Sequence, residues 1–305
     1  MGHDEFGMLS AYAALEGLAW RGRPPVERSF VEVSGGQQVS AIVWGAATAT
    51  TGTAPDMLLL HGSGQNAHTW DPFALALDRP LVALDLPGHG HSDWRRDHDY
   101  RPATNAAAVA AAAPRLMRMP ATVVGMSLGG LTAIHLAARH PELVARVVIV
   151  DVTPGVMSRR RAMTDAERGA TVLTGGPGTF ASFEEMVAAA SAVTPGRPSA
   201  SLRIGVRHNA RQLGDGTWAW RYDPDRREAG MLEVESLWAD VAKIAVPIML
   251  VRGGCSSFVD DDDEREVLRR QPKARVERVT GAGHSVQSER ARELARLVGD
   301  FVATT

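Results

Sequence analysis

The chain has 305 residues, of which 45% are apolar and 22% charged, and its formal charge is −2. That composition excludes intrinsic disorder and provides for one sizeable core with an insertion, while the near-neutral balance offers no basic field to gather nucleic acid or an anionic membrane, so a small uncharged partner is expected. Cys255 is the single cysteine, which excludes an intramolecular disulfide framework and a cysteine-rich metal site and suits a reducing compartment.

At the N-terminus, Asp4 and Glu5 stand where a signal peptide needs Lys or Arg, and Ser10, Glu16 and Gly17 interrupt the apolar residues. Residues 1–25 therefore read as an N-terminal helical extension of a cytoplasmic protein. Residues 30–33 and 39–44 are β-prone and flank Ser34-Gly35-Gly36-Gln37-Gln38, a hairpin, and a linker follows over 45–55. Apolar runs at 57–60, 81–84, 121–124, 147–150 and 248–251 each end in a Gly-rich or polar turn, as strands buried on both faces of a parallel sheet do. Helical patterns lie at 103–117, 128–139, 262–270 and 288–302. The Ala-rich stretch at 106–113 is too short to span a membrane and ends at Pro114. Strand and helix in alternation predict an α/β, doubly wound, mostly parallel sheet. Residues 156–241 break that rhythm and read as an inserted, mainly helical cap between core segments 26–155 and 242–305.

Gly125-Met126-Ser127-Leu128-Gly129 is a G-x-S-x-G sequence running from an apolar strand directly into a helical pattern, the context a nucleophile elbow requires. Small neighbours let strand and helix pack closely while the Ser127 hydroxyl projects, and the amide of Leu128 would face a developing oxyanion. The run at 57–60 ends in His61-Gly62-Ser63-Gly64, where a Gly-rich exit lets the Ser63 amide serve as second donor; His61 reads as a residue of the turn, not as a base. Among ten histidines, His284 alone sits in a Gly-rich loop, Gly281-Ala282-Gly283-His284, after a β-prone run and before the last helix. It is the candidate general base.

Together the HGSG, DLPGHGHS, GMSLGG, DVTP and GAGHS segments resemble the α/β-hydrolase family, and more narrowly its soluble mycobacterial serine esterases, from about Phe30 to the C-terminus. HGSGQNAHTWD, GMSLGGLTAIHLAA, GHSVQS and the WAWRYD segment from Trp218 carry the closest likeness. The resemblance implies an α/β-hydrolase fold, ester hydrolysis through an acyl-enzyme, no cofactor, no metal, and the chain order nucleophile, acid, histidine. Many relatives place an Asp after the strand equivalent to 248–251, but here the chain reads Arg252-Gly253-Gly254-Cys255-Ser256-Ser257. Asp151, ending the run at 147–150, is the expected acid. Asp260 is held in reserve, because Asp260 to Asp263 read as a helix cap with favourable first-turn charges.

Rival readings remain at this level. His89-Gly90-His91-Ser92-Asp93 resembles an H-x-H-x-D metal signature, with Trp94 where a dinuclear site wants another histidine. A thioesterase, lactonase or carbon–carbon hydrolase could use the same residues, and a non-catalytic ligand-binding protein could retain them. Trp218, Trp220, Tyr222 and Trp238 could line an acyl pocket or make the cap's own core. Cys255 lacks an adjacent base and reads as inert. The substrate expected is a small uncharged ester with a short to medium acyl chain; nothing in the sequence sets the oligomeric state.

Overall fold

In the computed structural model the described residues are 4–45, 54–164, 178–194, 199–226 and 231–305. The apolar runs form strands, and the polar segments between them turn the chain back along helices. In chain order come α1 (Leu9–Leu15), β1 (Val26–Val33), β2 (Gln37–Trp44), β3 (Met57–Leu60), α2 (Asp71–Leu77), β4 (Leu81–Leu84), α3 (Pro102–Ala112), β5 (Ala121–Met126), α4 (Leu128–Arg139) and β6 (Val144–Val150). Then follow α5 (Val156–Ala162), α6 (Phe183–Val193), α7 (Ser199–Asn209), β7 (Ala210–Gln212), β8 (Trp218–Trp220) and α8 (Met231–Lys243). The chain ends with β9 (Ile248–Gly253), α9 (Asp261–Arg270), β10 (Arg275–Val279), α10 (Val286–Glu289) and α11 (Ala291–Thr304).

Eight strands form one sheet in the order β1-β2-β4-β3-β5-β6-β9-β10. β2 runs antiparallel to both β1 and β4, and the other pairs are parallel. Successive side chains on a strand point to opposite faces, so each central strand feeds two apolar layers. Leu58, Leu60, Val123, Val147 and Ile149 pack with Val109, Ile134 and Leu237 on one face. Leu59, Val124, Val148 and Val150 pack with Trp70, Phe73 and Phe301 on the other. Trp70 and Phe73 are fully buried, and each such side chain contributes roughly 1.5–3 kcal/mol relative to exposure. α11 supplies Leu294, Leu297, Val298 and Phe301 at the i, i+3, i+4, i+7 spacing of an amphipathic helix. Leu9 and Tyr12 of α1 join this second layer, so the N-terminal helix docks on the core.

Between β6 and β9, Phe180, Met186, Leu202, Val206, Trp220 and Tyr222 form a small separate core. α8, grouped with the cap by sequence pattern, instead sends Val234, Leu237 and Val241 into the main core. The helix expected at 103–117 stops earlier, at Ala112, before a short 3-10 turn that contains Pro114.

Candidate active site

β3, β5, β6, β9 and β10 bring their carboxyl ends to one edge of the sheet, and the candidate residues lie in the loops that leave it. Only Ser127 separates β5 from α4, and it takes φ 51° and ψ −118°. For a non-glycine residue such a conformation costs of order 1–3 kcal/mol, which the surrounding packing must hold in place. That packing depends on absent side chains. A Cβ on Gly125 would lie 2.2 Å from the Gly129 carbonyl oxygen, and one on Gly129 would lie 2.2 Å from the Leu60 carbonyl oxygen. The amides of the first turn of α4 have no intrahelical acceptor, and the helix dipole favours negative charge beside Ser127.

His61 organises the loop after β3. The Leu86 N–H donates to its Nε2 at 2.9 Å, which fixes that nitrogen as the acceptor and leaves the proton on Nδ1, donated to the Gly62 carbonyl at 2.8 Å. Complete burial pushes the His61 pKa down and keeps the ring neutral, so it is a turn-fixing residue. In a trans peptide the C=O and N–H point in opposite directions, so anchoring the Gly62 carbonyl orients the Ser63 amide. A Cβ on Gly62 would lie 3.2 Å from the Ser127 Cβ, so this loop runs beside the elbow. Ser63, Ser127 and Leu128 line one cavity, and no hydrogen bond from the described residues engages the Ser63 or Leu128 amide.

Asp151 follows β6 with φ 51°, a second strained non-glycine at this edge. Its carboxylate is fully buried and accepts the Gly253 amide on Oδ1 at 2.8 Å and the Ser256 hydroxyl on Oδ2 at 2.5 Å. The same Oδ2 lies 2.7 Å from His284 Nδ1, which leaves Nε2 as the basic nitrogen. Phe258 stacks on the His284 ring with centroids 3.8 Å apart and planes 23° apart. Among the described residues no hydrogen bond links the Ser127 hydroxyl to His284, so that contact is open in this structure. Asp260 is joined to His284 by no hydrogen bond or ion pair among the described residues. It caps α9 in a reciprocal capping box with Asp263 and pairs with Arg159.

Other candidates are placed elsewhere. Trp218, Trp220 and Tyr222 belong to the small separate core between β6 and β9, and Trp238 packs on the main core under the Arg270 guanidinium, so none of the four lines the cavity at Ser127. Its apolar wall is instead Leu131, Val152, Val156, Met157 and Val234. Arg160 and Arg226 also line it, cationic residues that overall charge did not reveal. His89 and Asp93 of the H-x-H-x-D sequence do not converge: His89 Nδ1 meets the Pro87 carbonyl, and Asp93 accepts the Gln38 amide. His68, Asp71 and His208 do come close together, but the two imidazoles stack at 3.7 Å and 17°, which sets their in-plane nitrogens side by side instead of toward one point.

Residues 57–297 match the pattern of the alpha/beta hydrolase family. The chain is 45% identical over 304 residues to the esterase Rv0045c of Mycobacterium tuberculosis, covering 99% of this chain and 97% of that protein. A solved structure of that esterase superposes with a TM-score of 0.84 at 44% identity, over all of both chains. The E-2-(acetamidomethylene)succinate hydrolase structure gives a TM-score of 0.75 at 24% identity, covering 92% of this chain and all of that one, a likeness of fold.

Proposed function

The chain belongs to the alpha/beta hydrolase family, and on that footing we propose that it is a serine esterase working through an acyl-enzyme. Ser127 attacks the ester carbonyl, and His284 takes its proton and returns it to the leaving alcohol. The Ser63 and Leu128 amides receive the oxyanion. Water, deprotonated by His284, then releases the acid. Asp151 holds the imidazole in the required tautomer and stabilises the imidazolium. The observation that carries this reading is the buried His284–Asp151 contact of 2.7 Å at the edge where the strained Ser127 emerges.

The apolar wall beside Ser127 supports a small ester with a short to medium acyl chain as substrate, enclosed by a cap built from the segment between β6 and β9. Among the described residues no helix is long and apolar enough to cross a membrane. Cytoplasmic residence is part of the proposal, supported by the exposed free thiol of Cys255. The test is labelling with a fluorophosphonate followed by peptide mass spectrometry. The adduct is expected on Ser127 and absent from Ser127→Ala; label on any other residue, or no hydrolysis of short-chain chromogenic esters, overturns the proposal.

A further inference from the structure

The end of α7 reaches into the loop that carries the Ser63 amide. Asn209 is the last residue of α7, is 2% exposed, and has its own carbonyl held by the Arg221 amide at 2.7 Å. Its Nδ2 donates to the Gly64 carbonyl at 2.5 Å, and its Oδ1 accepts from Asn66 Nδ2 at 3.1 Å. Asn66 Nδ2 also donates to the His208 carbonyl at 3.1 Å, while Asn66 Oδ1 accepts the His68 amide at 3.0 Å. The chain just after Ser63 is thus tied at Gly64 and Asn66 to the end of one cap helix. Gly64 has φ +71°, which glycine adopts as readily as the mirror conformation, and its peptide is held at both ends, by the Gln65 N–H on the Gly62 carbonyl at 3.2 Å within the loop and by Asn209 on the Gly64 carbonyl from outside it.

We infer that Asn209 is a positioning residue for the oxyanion hole: by gripping the Gly64 carbonyl and Asn66 it holds the Ser63 amide at the distance the tetrahedral intermediate requires, coupling the cap to catalysis. The inference rests on the esterase reading. His61 anchors the Gly62 carbonyl on the core side of Ser63, and Asn209 anchors the Gly64 carbonyl on the cap side. A hydrogen-bond donor stabilises the oxyanion only when it waits at the right place, so a loop freed on one side weakens the transition state and leaves ground-state binding nearly untouched.

The experiment compares wild type with Asn209→Asp and Asn209→Ser. The aspartate keeps an acceptor for Asn66 and the shape of the side chain but has no proton for Gly64; the serine loses both contacts with little bulk change in the helix end. Folding is verified by circular dichroism and melting temperature, and Asn66→Ser, which loosens the same contact from the loop side, provides a further variant. Each is assayed on one short-chain ester, and inhibition is measured with a trifluoromethyl ketone, whose adduct places an oxyanion in the hole, and with the matching secondary alcohol, which does not. The expected result is a kcat about 10- to 100-fold lower with KM within about twofold, since removal of a whole oxyanion donor costs about 10²–10³. Ketone affinity should weaken by the factor lost in kcat/KM, with alcohol affinity unchanged. Wild-type kcat and ketone affinity in both Asn209 variants, or equal weakening of ketone and alcohol, overturns the inference. A wild-type protein that neither hydrolyses esters nor takes a fluorophosphonate on Ser127 overturns the esterase reading itself, and the inference with it.

Discussion

Asp151 Oδ2 lies 2.7 Å from His284 Nδ1, while the other oxygen of the carboxylate accepts the Gly253 amide at 2.8 Å. A carboxylate so held is fixed in orientation, and on the proposed mechanism its charge sits where the imidazolium would form. Asp151→Asn should lower kcat by about 10³- to 10⁴-fold with little change in KM, because the loss falls on the transition state. Asp260 serves α9 instead, so Asp260→Asn should cost less than about tenfold in kcat and of order 1 kcal/mol in stability. Steady-state kinetics of both variants on one ester check this; the reverse ranking would move the acid to Asp260.

Ser256 stands in the loop after β9, and its hydroxyl donates to Asp151 Oδ2 at 2.5 Å. That proton withdraws charge from the oxygen facing His284. Ser256→Ala removes one of the two donors that hold the carboxylate but leaves the Gly253 amide in place, so it should lower kcat by no more than about tenfold with KM unchanged, far less than Asp151→Asn. A loss as large as that of Asp151→Asn, measured on the same ester, would show that the serine and not the Gly253 amide fixes the carboxylate.

Much of this edge was legible because local rules coincide there. Ser127 stands between a β-prone run and a helical pattern, and its glycines admit one packing, so a short segment identifies the turn. His284 was marked by its glycines, and Asp151 by its strand-end position. Phe258 and Ser256 carried no such signal: a ring stacked on His284 and a hydroxyl on Asp151 depend on how β9 and β10 bring their loops together, which is a property of the tertiary fold. The aromatics at 218–222 leave two readings open in the sequence for a related reason. Trp220 and Tyr222 are large and apolar whether they face a ligand or each other, and only packing decides between the two. Asn209 was silent as well, since its partners Gly64 and Asn66 lie more than 140 residues away in the chain.

A buried charge cluster under the N-terminus predicts how stability depends on pH. His68 is engaged by Asp71 at Nδ1, 2.8 Å, and by Glu5 at Nε2, 3.0 Å; the Arg28 guanidinium and the stacked His208 ring also face it. Burial disfavours its charge, but the Asp71 and Glu5 carboxylates overcome this and lift it from the usual 6.5 to about 9. A pKa raised on folding gives stability that is complete below the unfolded value and is lost as pH rises through the folded one. The melting temperature should therefore fall between about pH 6.5 and pH 9. In Glu5→Gln the imidazolium loses one carboxylate but keeps Asp71, so the decline should begin at the same pH, be smaller and level off at lower pH; identical profiles for the two proteins would remove His68 as the titrating group.

The last prediction separates two places where apolar side chains gather, the cavity beside Ser127 and the small core between β6 and β9. Val156 and Met157 at the start of α5 line the cavity beside Ser127 together with Val152, Leu131 and Val234, whereas Trp220 is 7% exposed and stacks on Tyr222 with planes 12° apart inside the cap's small core. Val156→Trp adds a large ring to a wall that a growing acyl chain must pass. Hydrolysis of a hexanoate or octanoate ester should then fall at least about tenfold relative to acetate, because a few methylenes lose burial worth about 0.8 kcal/mol each. The ratio for acetate against butyrate should change less. Trp220→Ala removes an aromatic from packing and not from the cavity, so it should lower stability by about 3–5 kcal/mol and leave the acyl-length preference of the folded fraction as in wild type. Adding an ester with a terminal carboxylate to the series reads out Arg160 and Arg226, which line the same cavity. The measurement is kcat/KM across one set of chromogenic esters for the three proteins, with melting curves alongside. If Trp220→Ala shifts chain-length preference and Val156→Trp does not, acyl chains are bound among the cap aromatics and the pocket described beside Ser127 is not the acyl site.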